Sequence, residues 1–163
     1  MIRERLEAYA EKNSAAKRRT FPDHILFYRD GVSESQFGMV RTEELPQIRE
    51  ACKEVGANCK ITLVVVGKRH HARFYPVKDG PTKSECNVKA GSVVQSVVTA
   101  PRQFSFYLQS HDSPIGTART AHYVVLENES GYTETQLQQV VSVTEYLSPF
   151  RYSVDKWTCP III

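Results

Sequence analysis

The sequence predicts an α/β fold, a mixed sheet with flanking helices, on three observations. A helix, a strand, a second helix and a second strand follow one another in the first part of the chain, which is the order of a crossover between parallel strands. The second strand, Ile61–Val66, is a continuous β-branched run typical of a strand covered on both faces. Shorter apolar runs separated by Gly, Pro, Asn and Asp then predict further strands.

Composition places the chain among ordinary globular domains. Its 163 residues are 41% hydrophobic, and 21 Lys and Arg face 18 Asp and Glu, which is too apolar and too balanced for a disordered chain. No apolar run approaches the roughly 18 residues of a membrane span. The net charge of +3 does not by itself argue for nucleic acid. We therefore predict one domain over residues 1–163 that has no membrane partner.

The cysteines predict reduced thiols rather than a zinc site. No two of them form a CxxC pair, and no histidine lies at zinc-finger spacing. The N-terminus also lacks the uninterrupted apolar core of a signal peptide. We therefore expect a cytoplasmic location, with the nucleus as the alternative compartment.

The first helix and strand are predicted from periodicity and residue type. Apolar residues recur at helical spacing over residues 2 to 16, which predicts an amphipathic helix. His24–Arg29 is a short run rich in β-forming residues, and an Asp-Gly turn follows it. We expect this run to form a buried strand.

A capping box predicts the return to helix. Ser33 and Gln36 have the required spacing ahead of an apolar residue. The second helix is expected over residues 43 to 55, with Pro46 in its first turn and Gly56 as its C-terminal stop. Ile61–Val66 follows as the strongest strand signal of the sequence.

The second half predicts shorter strands and a final helix. A helix is expected from Thr133, where Gln136 completes another capping box, to the Ser-Pro pair at residue 148. Four runs are predicted as strands: Ala72–Pro76, Ser92–Thr99, Phe104–Ser110 and Tyr123–Glu127.

Two strand ends carry polar residues suited to a phosphate ligand. Asp30 follows the first strand, and the basic run Gly67–Arg73 follows the second. Neighbouring parallel strand ends would bring together a carboxylate suited to a divalent metal and cations suited to phosphates. Each signal has a structural alternative, because Asp-Gly is a common turn and a basic run is also typical of a solvated loop. The residues alone predict a phosphate site but no reaction.

Several segments resemble a known family in that family's order. Phe27–Phe37 (FYRDGVSESQF) and Ile61–Phe74 (ITLVVVGKRHHARF) are similar to segments of the Piwi domain of eukaryotic Argonaute proteins. The likeness covers roughly residues 1–148 and implies an RNase H-like fold that holds a guide RNA and, in active members, cleaves the target. Further matching segments are Gly91–Val98, Phe104–His111, Gly116–Tyr123 and Tyr132–Gln138.

The resemblance implies a catalytic role for one residue of this chain. Asp30 matches the family's second catalytic aspartate, one of four positions that hold Mg²⁺. The other three have no match in this chain, and one carboxylate cannot hold two Mg²⁺ ions against their hydration shells. The resemblance thus implies Mg²⁺ binding that is weak or absent in this chain alone, and no RNA cleavage. The alternative is a fragment of an active Mg²⁺-dependent, guide-directed endoribonuclease in which Asp30 is a metal ligand.

The resemblance also implies residues that bind RNA. Their family counterparts contact the guide backbone, and phosphate contacts give affinity without base specificity. The implied partners are a single-stranded guide RNA and a guide–target duplex, in RNA silencing. The residues are Lys68, Arg69, Arg73, His111 and Arg119.

A protein-interaction role is the third alternative. Piwi domains bind Trp-containing silencing proteins on helices at the outer face of the sheet, and the first two helices of this chain correspond to that region. The resemblance does not carry over individual pocket residues, because residues 13–19 resemble an insertion.

The resemblance further implies a partial Piwi domain. An RNase H-like sheet normally begins with three antiparallel strands, and these have no counterpart in the sequence. The His24–Arg29 strand is therefore expected to present an unpaired, apolar edge.

Overall fold

The computed structural model describes residues 2–15, 21–76, 87–113, 116–147 and 161–162. The chain groups into two units, of which the first comprises residues 1–65, 125–131 and 158–163 and the second comprises residues 66–124 and 132–157. Within the described ranges, no helix is long and apolar enough to span a membrane. The predicted single domain stays a prediction.

The elements follow in the order α1, β1, α2, α3, β2, β3, β4, β5, α4 and β6. The helices are α1 (Ile2–Ala15), α2 (Phe37–Met39), α3 (Leu45–Glu54) and α4 (Glu134–Leu147). The strands are β1 (His24–Asp30), β2 (Lys60–Gly67), β3 (Val93–Val94), β4 (Ser105–Leu108), β5 (Ala121–Asn128) and β6 (Ile161–Ile162).

Residues 121–124 of β5 belong to the second unit and residues 125–128 to the first, in which the strands lie in the order β5-β2-β1-β6. β6 is antiparallel to β1, with Leu26 opposite Ile162 and Phe27 opposite Ile161. The expected unpaired, apolar edge of the His24–Arg29 strand is therefore wrong at these positions, where the two β1 residues are 6% and 3% exposed. The physical reason is that β6 supplies backbone hydrogen-bond partners along this side of β1.

The chain stays helical from residue 34 to residue 54, which is longer than the predicted span of 43 to 55. The Ser33 N–H donates to Gln36 Oε1 at 3.1 Å, so the predicted capping box is confirmed. A 3₁₀ turn, α2 and the π-helical stretch Val40–Glu44 connect this cap to α3 without a break. The helical segment therefore begins directly after Ser33, not at Leu45, where the apolar side chains of α3 begin.

A small apolar core holds the first unit together. It joins α1, β1 and α3 through Leu6, Ile25, Cys52 and Ala57, with Ile2, Phe21, Val55 and Cys59 packed around them. Burial raises the pKa of the Cys52 thiol and raises that of Cys59 to about 11. Both cysteines are free thiols, as predicted, and the Cys59 thiol donates to the Pro22 carbonyl at 3.0 Å.

An ion pair anchors the start of β2 in the same unit. Arg49 Nε donates to Glu129 Oε1 at 3.0 Å, and Glu129 Oε2 accepts the Ile61 N–H at 2.9 Å. Burial alone would raise the pKa of Glu129, but the Ile61 hydrogen bond and the Arg49 guanidinium together lower it. This carboxylate therefore stabilises the fold in its ionised form.

Strands of the second unit lie in the order β3-β4-β5, and both pairings are antiparallel. Phe106 of β4 stacks on Tyr123 of β5 with ring centroids 5.2 Å apart, and both rings are fully buried. The predicted start of α4 is confirmed, because the Thr133 N–H donates to Gln136 Oε1 at 3.0 Å.

Two predicted strands are wrong or shorter in the structure. Ala72–Pro76 is irregular, and within it the Ala72 carbonyl accepts a hydrogen bond from Arg73 Nη1 instead of from a neighbouring strand. Ser92–Thr99 keeps only β3, since the chain bends after Val94. The strands predicted around β4 and β5 are confirmed.

Candidate nucleic-acid interface

The residues predicted to bind RNA belong to the second unit and lie on loops at strand ends. Two of them, Arg69 and Arg119, are exposed, and the other three are half-buried. Three follow β2, one follows β4 and one precedes β5: Lys68, Arg69, Arg73, His111 and Arg119.

The β4–β5 pairing brings two of these loops together. Leu108 pairs with Ala121 at one end of the ladder. The chain that leaves β4 toward His111 therefore starts beside the chain that enters β5 from Arg119. Gln109, which is fully buried, donates its side-chain amide to the His111 carbonyl and so fixes the path of this segment.

His70 joins the segment after β2 to the segment before β5. Its Nε2–H donates to the Thr120 carbonyl at 2.9 Å, and its ring packs edge-on against Tyr107 with centroids 5.1 Å apart. Tyr107 stacks in turn on His122 at 4.3 Å. Because Thr120 follows Arg119 directly, this hydrogen bond places the loop of Arg119 beside the segment that leaves β2.

Arg73 supports its own segment and keeps donors for a ligand. Both of its hydrogen bonds come from Nη1, at 3.0 Å to the His70 carbonyl and 2.7 Å to the Ala72 carbonyl. No described residue accepts a hydrogen bond from its Nε or Nη2. A guanidinium presents its donors as a planar fork that matches a phosphate, so the remaining edge of Arg73 can bind one.

Lys89 is an exposed cation of the same loops that the sequence analysis did not single out. Its carbonyl accepts the Ser92 N–H at 3.1 Å, and the Gly91 N–H donates to the Gln109 carbonyl at 2.7 Å. These bonds hold the turn of Lys89 against the start of the His111 segment. A lysine beside a glycine turn is too common in sequences to have identified this position.

Several cations of these loops have no carboxylate partner within the described part of the chain. In the described ranges, no carboxylate forms an ion pair with the loop cations, a name that we use for Lys68, Arg69, Arg73, Lys89 and Arg119. Asp112 is an acidic residue of the same loops, and its Oδ1 accepts the Ala90 N–H at 2.9 Å. Unpaired cations clustered on loops attract a polyanion.

Asp30 lies in the first unit, at the end of β1. Its Oδ1 accepts the Gly31 N–H at 2.7 Å, and Gly31 has a φ of +73°, so the turn that Asp-Gly signals in the sequence is present. The predicted meeting of Asp30 with the cations after β2 stays a prediction.

The described residues do not by themselves make up a Mg²⁺ site. Among them, no group of three or more His, Cys, Asp and Glu side chains is placed to hold a metal ion. Asp30 is a single carboxylate, and the Gly31 N–H already occupies one of its oxygens. Because Mg²⁺ requires near-octahedral oxygen coordination, we assign no chemical step to this residue on the described part of the chain.

Sequence comparisons identify close relatives of this chain. The sequence model of the Piwi domain matches residues 1–156. Protein argonaute-2 of Drosophila melanogaster is 41% identical over 138 residues, which are 84% of this chain and 11% of that protein. Protein argonaute 5 of Arabidopsis thaliana is 44% identical over 126 residues, which are 74% of this chain and 13% of that protein. The chain thus spans only a small part of the length of these relatives.

Solved structures confirm the predicted fold class. The C-terminal lobe of a budding yeast Argonaute superposes with a TM-score of 0.80 at 29% identity, over 89% of this chain and 31% of that one. Kluyveromyces polysporus Argonaute with a guide RNA gives a TM-score of 0.80 at 28% identity, over 89% of this chain and 18% of that one. The RNase H-like mixed sheet with flanking helices is therefore confirmed.

Proposed function

This chain belongs to the Piwi domain family, and on that premise we propose that it binds the sugar–phosphate backbone of a guide RNA in RNA silencing. The observation that carries the proposal is the joining of cation-bearing loops in the second unit. The His70–Thr120 hydrogen bond connects the loops after β2 and before β5, and the β4–β5 pairing adds the His111 segment. The similar structure of Kluyveromyces polysporus Argonaute with a guide RNA supports this choice of polyanion.

The chemistry of the loops favours backbone contacts over base contacts. Lys and Arg side chains on loops neutralise phosphates, and such contacts set affinity and register without reading sequence. His111 adds a hydrogen-bonding imidazole to the same surface. We therefore expect guides of different sequence and equal length to bind equally well.

Salt-titrated binding tests the proposal. The full 163-residue chain is mixed with a labelled single-stranded RNA, and fluorescence anisotropy gives the affinity at several salt concentrations. Changing Lys68, Arg69 and Arg73 together to Ala should weaken binding and reduce the slope of log K against log[salt] by about two, at about 0.7 per phosphate contact on a single strand.

A matched control removes the same charge elsewhere. Lys12, Lys53 and Lys60 are exposed residues of the first unit, and changing them together to Ala lowers the net charge equally. This variant should keep most of the affinity and the slope. Equal losses in the two triple variants would mean that only net charge matters, and the proposed site would be wrong.

The nature of the nucleic acid is part of the proposal. A backbone site of this kind distinguishes RNA from DNA through ribose hydroxyls and A-form geometry. The single-stranded guide should therefore bind more tightly than DNA of the same sequence, and a guide–target duplex should compete with the guide. Equal affinity for DNA would leave a general polyanion site instead of an RNA site.

We further propose that this chain by itself does not cleave RNA. Asp30 is the one carboxylate that the family resemblance pairs with a catalytic position, and the described residues do not by themselves make up a Mg²⁺ site. A complementary target incubated with guide, protein and Mg²⁺ should stay intact. Target cleavage that Asp30→Ala abolishes would support the alternative, a fragment of an active endoribonuclease. The Trp-containing partners and the cytoplasmic location stay predictions.

A further inference from the structure

Asn87 is a buried polar residue of the second unit to which the proposed function assigns no role. This residue is only 8% exposed, although asparagine is usually found at the protein surface. Burying a carboxamide is unfavourable unless its donors and its acceptor are satisfied. The partners of this side chain therefore indicate what it does.

Among the described residues, the partners of the Asn87 carboxamide are backbone groups of one loop. Nδ2 donates to the Gly116 carbonyl at 2.7 Å and to the Ser113 carbonyl at 3.3 Å. Oδ1 accepts the Ala118 N–H at 2.9 Å. One side chain thus binds the loop on both sides of Gly116, whose φ of +77° marks the turn between them.

This loop ends at Arg119, one of the loop cations. Ala118 and Thr120 are 2% and 4% exposed, whereas Arg119 between them is exposed. The residue before Arg119 donates its N–H to Asn87, and the residue after it accepts the His70 Nε2–H. Two hydrogen bonds, one to the Asn87 carboxamide and one from the His70 imidazole, therefore fix the backbone on either side of Arg119, which is exposed.

We propose that Asn87 is a positioning residue for RNA binding and that it acts through Arg119. The inference rests on the proposed function, since it assumes that Arg119 contacts a phosphate. A loop that is already ordered loses less conformational entropy when it binds than a loop that must be ordered by the ligand. Asn87 thus provides affinity without touching the RNA and without adding a charge.

The test is a double-mutant cycle in the anisotropy assay described above. Asn87→Ala should weaken RNA binding about fivefold to tenfold and lower the salt slope by about 0.7, as Arg119→Ala should. If Asn87 acts through Arg119, the double variant should be no weaker than Arg119→Ala alone. Asn58→Ala, which changes an exposed asparagine of the first unit, is the matched control and should bind like the unchanged chain.

A merely structural role gives a different result. It would lower the thermal midpoint of Asn87→Ala but leave the salt slope of the folded protein unchanged, and its effect would add to that of Arg119→Ala. An unchanged salt slope overturns the positioning role, and so does an effect that adds to that of Arg119→Ala. Asn87→Ser keeps one hydrogen-bonding group and should fall between the unchanged chain and Asn87→Ala.

Hydrogen exchange on the unchanged chain provides a measurement that does not depend on how the variants fold. The Ala118 amide should be protected before RNA is added, because Asn87 already binds it. An Ala118 amide that becomes protected only with RNA would overturn the inference.

The two proposals fail in distinguishable ways. If the unchanged chain shows no salt-dependent RNA binding, or if Arg119→Ala has no effect on it, the assumed phosphate contact is wrong and the inference fails with it. If Arg119→Ala weakens binding while Asn87→Ala does not, backbone binding stands and the positioning role alone is wrong.

Discussion

In the first unit Arg29 and Arg49 pair with carboxylates, whereas in the second the loop cations have no ion-pair partner among the described residues. Arg29 Nε lies 2.9 Å from Glu44 Oε2, and Arg49 pairs with Glu129. In the second unit, side chains hold the loops through hydrogen bonds to backbone groups instead, and the carboxamides of Asn87 and Gln109 and the imidazole of His70 are examples.

This difference teaches how one chain can hold its fold and still attract a polyanion. An ion pair fixes two elements but cancels the charge that a ligand would feel. A side chain that bonds only to backbone groups fixes a loop without cancelling the charge of nearby cations. Ion pairs therefore stabilise the first unit, whereas the proposed function assigns the cations of the second unit to binding.

Charge reversal in the second unit should have the largest effect. Arg69→Glu combined with Arg119→Glu replaces two exposed cations by anions, so RNA affinity at low salt should fall by about 100-fold. The thermal midpoint should change little, because neither side chain forms an ion pair in the described part of the protein. Anisotropy and circular dichroism measure the two effects. A large fall in thermal midpoint would mean that these cations do hold the fold, and the comparison would break.

Removing a charge from the first unit should lower stability and leave RNA affinity unchanged. Arg49→Ala should lower the free energy of unfolding by about 1 kcal/mol, since it breaks the pair that orients Glu129. RNA affinity should stay unchanged. Arg3→Ala is the control. Arg3 Nε lies 3.5 Å from Glu7 Oε1 and both side chains are exposed, and such a pair contributes only a few tenths of a kcal/mol to the free energy of unfolding. Urea denaturation of the three proteins distinguishes these outcomes.

The pH dependence of the free energy of unfolding should report on Glu129, the partner of Arg49. Because folding lowers the pKa of Glu129, its contribution is complete above the ordinary glutamate pKa of about 4.3 and is lost as pH falls through the lower folded value. Between pH 5 and pH 3 the unchanged chain should therefore lose more unfolding free energy than Glu129→Gln. Equal losses over this acid range, measured by urea denaturation, would remove Glu129 as a source of acid sensitivity.

The smallest effect concerns the thiols of the first unit. Burial raises the pKa of Cys59 to about 11, so the thiol is protonated at neutral pH and should react slowly with iodoacetamide. Mass spectrometry should show faster alkylation of Cys59 after denaturation at the same pH. Rapid alkylation of the native protein would show that this core is open to solvent.

Sequence reasoning predicted those elements whose signal is local. β2 was identifiable because residues 61–65 are all buried and therefore all apolar or β-branched. The capping boxes at Ser33 and Thr133 were identifiable because their partners lie three residues away. The π-helical stretch Val40–Glu44 was missed because it carries polar residues without a clear helical stripe.

The sequence named members of the candidate site in two ways. Lys68, Arg69 and Arg73 stand out as a basic run after a strand, whereas His111 and Arg119 are named by the family resemblance alone. The sequence did not mark Asn87 as a buried residue that binds a loop, because asparagine is typical of turns. Lys89 was missed for a similar reason.

The sequence alone determined the helices, the long strands, the family resemblance and the residue types that bind phosphate, because periodicity, caps and motifs act over a few neighbouring positions. Tertiary structure decided which loops meet and which side of a strand is covered. The pairing of Leu26 with Ile162 and the contact of His70 with Thr120 join residues far apart in the chain. Such contacts depend on how the elements pack, and no local pattern encodes them.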